Sequence, residues 1–180
     1  SLITNKTKMI SIIHVSNVTG LTTNVKKVIS IARAKKIPVC IDGTQAVTHS
    51  HVDLKELDCD FYAFSAHKIY GPTGVGILFM KNKWVEQFEP FNGGGGMIQN
   101  VDTKNITFAS GVSKFEAGSL ASAEVIALKQ AVKFVKDIKI KNLLSHFFNL
   151  LKKNLANGLK IGFIDFKYSS INPQQYLIGL

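Results

Sequence analysis

Cysteine and arginine are both scarce in this chain. There are two cysteines, Cys40 and Cys59, in 180 residues. Two thiols, each at or inside an apolar stretch, give neither a disulfide framework nor a zinc site. They suit buried, reduced thiols in a cytoplasmic protein. Arg33 is the lone arginine among 22 basic residues, which stand against 12 acidic ones for a net charge of +10. A basic surplus invites a phosphate partner. Interfaces that read bases favour the bidentate fork of arginine. Here lysines are spread over helix faces, as in Lys26-Lys27, Lys35-Lys36 and Lys152-Lys153, without interleaved aromatics. No nucleic-acid partner is expected. No apolar run is long enough to cross a bilayer, and residues 1–8 lack the charged-then-apolar profile of a leader. No membrane partner is expected either.

With 46% hydrophobic and 19% charged residues, the composition is globular. The length suffices to bury a core. The first half alternates strand-like and helix-like patterns. Residues 9–14, 38–41, 59–65 and 75–80 read as strands. Residues 24–36 read as a helix with Val25, Val28, Ile29 and Ala32 on one face, and 51–57 as a short helix or turn. This alternation predicts an α/β fold with a mostly parallel sheet and helices on both faces. Residues 99–113 are polar and read as irregular. A helix is expected from Ser122, its N-cap, with Val125, Leu128, Val132 and Val135 as a buried stripe. A further helix at 142–157 and a strand at 161–166 complete the pattern. The expected division is the C-terminal half of a large domain over 1–135 and the incomplete start of a smaller C-terminal α+β domain over 136–180. The chain lacks an initial methionine and stops without terminating logic, so it reads as the central part of a longer protein.

Three strand ends carry polar residues where apolar ones would continue the strand. They are His14-Val15-Ser16-Asn17, Asp42-Gly43-Thr44-Gln45 and Ser65-Ala66-His67-Lys68. Ligands of parallel α/β sheets bind outside the carboxyl ends of the strands, so neighbouring strands would bring the three clusters to one rim. Lys68 follows an apolar strand directly and precedes the turn Gly71-Pro72. An amine there suits a partly dry pocket, where desolvation makes it a carbonyl-capturing nucleophile. The obvious carbonyl is the aldehyde of pyridoxal 5'-phosphate (PLP). Asp42 suits the pyridinium nitrogen, Gln45 the phenolate oxygen, and Ser65 and His67 the phosphate; Asn17 lies near the phenolate or a substrate carboxylate.

Blander readings stand beside these. Asp42-Gly43 reads equally as a turn and Asn17 as a cap, and His14 reads as a structural histidine. His49 and His51 lack further ligands at zinc spacing. The glycine run at 93–96 lacks the Lys-Ser/Thr of a phosphate loop.

Asn17, Asp42-Gly43-Thr44-Gln45, Val52-Asp53, Asp58-Cys59-Asp60-Phe61, Ser65-Ala66-His67-Lys68 and Gly71-Pro72-Thr73-Gly74-Val75-Gly76 together resemble the class V aminotransferase family of PLP enzymes. Within it they are most similar to the cysteine desulfurases. Residues 92–98 and Phe115-Glu116-Ala117-Gly118-Ser119 resemble the Suf-type branch. The resemblance implies the PLP-dependent fold type I and a homodimer. It makes Lys68 the lysine that carries PLP as an imine, Asp42 the partner of the pyridine nitrogen and Gln45 of the phenolate oxygen. Ser65 and His67 would hold the phosphate, with Asn17 beside the ring. Ser119 would reach the partner subunit's phosphate. The family usually has Thr-Pro-Asn where this chain has Ser119-Leu120-Ala121, which keeps the hydroxyl and changes the turn.

The implied reaction converts L-cysteine to L-alanine and leaves a persulfide sulfur for an acceptor protein of iron–sulfur cluster assembly. Cys40 and Cys59 stand in the sheet, not on a mobile loop, and Arg33 stands on an outer helix. The nucleophilic cysteine and the carboxylate-binding arginine are therefore expected outside this stretch, and residues 1–180 alone are expected to be inactive. Rival readings are a selenocysteine lyase or another class V enzyme, and a non-catalytic α/β remnant or binding module.

Overall fold

The computed structural model describes residues 2–138. Four strands form one sheet in the order β1 (Ile10–Ile13), β2 (Val39–Asp42), β3 (Phe61–Ser65) and β4 (Gly76–Met80). β1, β2 and β3 are parallel, with Ile13 opposite Asp42 and Asp42 opposite Ala63. β4 runs antiparallel to β3, with Ser65 opposite Gly76. The short Gly71-Pro72 connection forces this direction, because a parallel return needs a crossover of a dozen or more residues.

The crossover between β1 and β2 is helix α1 (Val25–Ala34). Asn24 caps it, its Oδ1 accepting the Lys27 N–H at 3.0 Å. Val25, Ile29 and Ala32 are buried at the helical spacing expected from the sequence. They pack on Val39, Ile41 and Tyr62, with Ile10, Ile12, Phe64 and Phe79 partly buried around them. Alternation along the strands puts these residues on one face of the sheet. Leu57 of the single-turn helix α3 (Leu54–Leu57) and Cys59 join the same cluster. Its N-cap is Asp53, whose Oδ1 accepts the N–H groups of Lys55 and Glu56 at 2.8 and 3.1 Å.

The end of the sheet where β2 and β3 start is tied by buried charge. Asp60 accepts the Val39 N–H at 3.1 Å, Trp84 Nε1 at 2.8 Å and the Lys83 ammonium at 2.7 Å. Burial alone would push the Asp60 carboxyl up; the bonds from Lys83, Trp84 and Val39 outweigh it and hold the carboxyl below its ordinary range. They also fix helix α4 (Asn82–Gln87), whose Trp84, together with Phe88 just past its end, covers Phe61 on the second face of the sheet. Arg33 and Lys81 both pair with Asp58.

The sequence pattern misses two features of the described region. Helix α2 (Ala46–His49) is a single turn directly after β2. Residues 99–113, expected to be irregular, include most of the hairpin β5 (Ile98–Val101) and β6 (Ile106–Phe108). Most of its residues are exposed, so no apolar alternation marks it. Helix α5 (Ser122–Ile138) forms, but Ser122 is its first residue and not its cap. The first intrahelical bond runs from the Val125 N–H to the Ala121 carbonyl at 2.9 Å, and the Ser122 hydroxyl donates to the Leu120 carbonyl. The expected stripe holds only in part, with Leu128 and Val135 half-buried. Val125 and Val132 are 49% and 47% exposed, whereas Ala131 is 7% exposed. The reason is the contact surface. α5 rests on the segment around Gly71, which Leu128 abuts, and Phe134 meets Tyr70 edge-on, so Ala131 faces inward. The expected helix at 142–157 and strand at 161–166 lie outside the described residues, as does nearly all of the expected smaller domain.

Candidate active site

The parallel register sets the carboxyl ends of β1, β2 and β3 on one rim. Main-chain bonds carry the ladder past the last strand residues. The His14 N–H donates to the Asp42 carbonyl at 2.8 Å, and the Gly43 N–H to the Ala63 carbonyl at 2.8 Å. The Ala66 N–H donates to the Val75 carbonyl at 3.1 Å. The three polar clusters thus converge as the sequence predicts.

Asp42 ends β2 with an exposed carboxylate. Its Oδ1 accepts the Thr44 N–H at 3.0 Å, which realises the turn reading. The bond holds one oxygen and leaves an anionic group at the rim. Gln45 is the N-terminal flanking residue of α2, half-buried. Ser65 ends β3 and is half-buried. His67 and Lys68 stand on a 3-10 turn, Ala66–Ile69, anchored by buried Ala66 and Ile69. The turn lifts His67 and Lys68 off the sheet edge, and both are exposed. The partly dry setting expected for Lys68 is therefore not supplied by the described residues.

The lysine's main chain, by contrast, is held. Thr48 Oγ1 donates to the Lys68 carbonyl at 2.7 Å and lies 3.3 Å from the Thr44 carbonyl. One hydroxyl of α2 thus links the Asp42–Gln45 segment to the lysine turn. The left-handed Tyr70, with φ of 63°, closes the turn, and the Gly71 N–H bonds back to the Ala66 carbonyl at 3.0 Å. A Cβ at Gly71 would come within 2.8 Å of that carbonyl oxygen, which is why glycine stands there.

Asn17 is exposed in the turn after β1. Ser16 shapes this turn: its Oγ accepts the N–H groups of Val18 and Thr19, and its own N–H bonds the Leu21 carbonyl. Ser119 lies elsewhere, exposed in the loop before α5. The Gly118 N–H donates to the Gly95 carbonyl at 2.8 Å, tying this loop to the glycine run. Gly94 packs so closely here that a Cβ would meet the Gly118 nitrogen at 2.9 Å. Among the described residues no hydrogen bond joins Ser119 to the rim.

His14 is structural, as its sequence context suggests. Its Nδ1 lies 3.0 Å from the Tyr62 hydroxyl, and the rings meet edge-on. Burial pulls the imidazole's pKa down and pushes the phenol's up, so both groups are neutral near pH 7. The hydroxyl and Nδ1 then share one hydrogen bond between neutral groups, its direction set by the imidazole tautomer. Tyr62, Gly43 and Thr48 are contributors that the sequence reading missed. The first two meet only through the β2–β3 register, and a threonine inside one helical turn carries no signal of its own.

The thiols are poor nucleophiles. Burial raises the pKa of Cys40, helped by Asp42, and pushes Cys59 up to about 11. The described residues contain no group of three or more His, Cys, Asp or Glu side chains placed to hold a metal ion. They also contain no helix long and apolar enough to cross a membrane.

Comparison with known proteins agrees with this geometry. The family model for aminotransferase class-V matches residues 1–175. A cysteine desulfurase of Wigglesworthia glossinidia brevipalpis is 40% identical over 173 residues, covering 95% of this chain and 42% of that protein. The crystal structure of the cysteine desulfurase CsdA from Escherichia coli superposes with a TM-score of 0.75 at 38% identity, over 78% of this chain and 35% of that one. The apo structure of a cysteine desulfurase from Thermococcus onnurineus NA1 gives a TM-score of 0.73 at 30% identity, over 83% and 38% of the two chains. The chain spans well under half the length of these relatives. With the Asp42 and Ser65–Lys68 strand ends on one rim and a family match over nearly its whole length, the chain belongs to the class V aminotransferase family and has its fold type I architecture.

Proposed function

We propose that the chain is the lysine-bearing part of a PLP-dependent cysteine desulfurase, which converts L-cysteine to L-alanine and passes the sulfur on as a persulfide. The observation that carries this reading is the shared rim, where an exposed carboxylate, Asp42, ends β2 and an exposed amine, Lys68, stands on the turn that follows the adjacent strand β3. The donor set fits PLP. Asp42 is an anionic acceptor suited to a protonated ring nitrogen. Ser65 and His67 offer donors to a phosphate beside a main-chain turn, and Gln45 offers an amide donor to a phenolate.

When bound, PLP supplies an electron sink that stabilises negative charge at the substrate α-carbon. Asp42 would hold the proton on the ring nitrogen, which would keep that sink effective. Ser65 and His67 would hold the phosphate. Lys68 would bind the cofactor aldehyde and would supply the amine that moves the proton at the substrate α-carbon. Asn17 would lie beside the ring. In the desulfuration step a thiolate takes the substrate sulfur as the C–S bond breaks, the bonding electrons stay with the carbon fragment, and that carbon is protonated to give alanine. Burial raises the pKa of Cys40 and Cys59, which disfavours either as that thiolate, and the reading assigns it to a cysteine outside residues 1–180.

The same reading takes the protein to be a cytoplasmic homodimer of the Suf type, with Ser119 directed to the partner subunit's phosphate. The sulfur acceptor would be a protein of iron–sulfur cluster assembly. The smaller domain would begin near residue 136.

Borohydride reduction of the full-length protein with PLP, followed by peptide mapping, tests the assignment. The adduct is expected on Lys68, and Lys68→Ala should abolish it and cut alanine release at least about 10³-fold. An adduct on another lysine, or no adduct in the folded protein, would overturn it.

A further inference from the structure

Asp42 must present its carboxylate at a fixed point for the role just proposed, and the structure shows how β2 is held there. Tyr62 stands opposite Ile41 in the β2–β3 register, one residue short of the Asp42–Ala63 pair. Its side chain therefore projects from the face opposite to that of Asp42. The ring is 1% exposed and runs beneath Gly43, the residue after Asp42. The approach is so close that a Cβ at Gly43 would lie 1.9 Å from Tyr62 Cε1. Beyond Gly43 the phenol reaches β1's end, where its hydroxyl meets His14 Nδ1 at 3.0 Å. The main chain closes the circuit. The His14 N–H bonds the Asp42 carbonyl and the Gly43 N–H bonds the Ala63 carbonyl, both at 2.8 Å. A side chain from β3 thus crosses under β2 and is fastened to β1.

We propose that Tyr62 and His14 are positioning residues for Asp42: their phenol–imidazole bond braces β1 against β3 beneath Gly43 and so sets where the carboxylate meets the cofactor's ring nitrogen. This rests on the PLP reading above. The brace is specific to Gly43, because any side chain there would occupy the phenol's place. Neither ring touches substrate or cofactor in this assignment; both act through the Asp42–Gly43 main chain. The ionisable groups around the pair are Cys59, Asp42 on β2 and, lining the cavity of about 250 Å³ beside His14, Lys26, His51, Asp53 and Glu56.

The test uses the full-length protein with PLP and three variants. Tyr62→Phe keeps the ring under Gly43 and removes the hydroxyl. His14→Ala removes the hydroxyl's partner. His14→Asn returns an amide that can accept or donate near the position of Nδ1. The readouts are the dissociation constant for PLP and the pH midpoint of the visible band that forms when Lys68 bonds the cofactor. Loss of one partly buried hydrogen bond predicts PLP binding weakened about three- to tenfold in Tyr62→Phe and His14→Ala. It also predicts a band midpoint displaced by about half a pH unit, since Asp42 tunes the ring nitrogen. His14→Asn should restore both. Midpoints and dissociation constants equal to those of the unaltered protein in Tyr62→Phe and His14→Ala would overturn the positioning role. So would His14→Asn behaving as His14→Ala. Because the unaltered protein is measured alongside, the two readings fail differently. No visible band in that protein defeats the PLP assignment, whereas a normal band unchanged by the variants defeats only the brace.

Discussion

Gly43 is the residue with least room to change. A Cβ there would overlap the Tyr62 ring, and that ring is buried against β2 with no space to retreat. Gly43→Ala is therefore expected to destabilise the protein by about 1–3 kcal/mol through overpacking, read as a lower midpoint in urea unfolding. His14 sets a pH dependence of stability. Burial lowers its folded pKa below the ordinary value near 6.5, so below about pH 6.5 the unfolded chain binds the proton more readily than the folded one. The contribution of neutral His14 is complete above that pH and declines as pH falls through the window down to the lowered folded value. Unfolding midpoints measured from pH 7.5 to 5 should fall at the acid end, and His14→Asn should flatten that slope. The roles proposed for Asp42 and Lys68 were suggested by residue type and position, because a carboxylate and an amine at strand ends are chemically out of place in a sheet. The role of Tyr62 was not, because an aromatic in an apolar strand looks like any core residue until its hydroxyl has a partner.

At the scale of elements, helix α1 was legible and α5 only partly so. α1 buries one face on the sheet, and its apolar residues mark that face. α5 rests on a turn by a few side chains, so its periodicity does not say which side is covered. The hairpin of β5 and β6 escaped notice because most of its residues face solvent and alternation carries no burial signal. Two element-level predictions follow from observed bonds. Asn24→Ala removes the cap of α1 and should cost about 1 kcal/mol, measurable by chemical unfolding. Thr48→Val keeps the shape of the side chain but removes the hydroxyl bond to the Lys68 carbonyl. It should slow borohydride-trappable bonding of PLP at Lys68 severalfold with about 1 kcal/mol or less lost in stability. Thr48→Ser should recover the rate.

Across the whole molecule, the thiol that would accept the sulfur in the proposed reaction separates cofactor from reaction. Cys40 and Cys59 sit in or beside strands of the sheet with raised pKa values, so Cys40→Ser and Cys59→Ala in the full-length protein should leave persulfide formation within about twofold of normal. The buried Cys59 change is expected to lower stability by about 1–2 kcal/mol. Loss of persulfide in either folded variant would place the acceptor thiol inside this chain. The sequence by itself determined the alternation of strands and helices, the three polar strand ends and the residue types suited to the cofactor, because burial periodicity and misplaced polarity are local properties written along the chain. Only the tertiary structure decided that β4 turns back antiparallel, that α5 covers Ala131 and not Val125, that Lys68 is exposed on its turn, and that Tyr62 passes under Gly43 to His14. Those facts depend on which strands are neighbours and in what register, and register couples residues tens of positions apart that no local pattern connects.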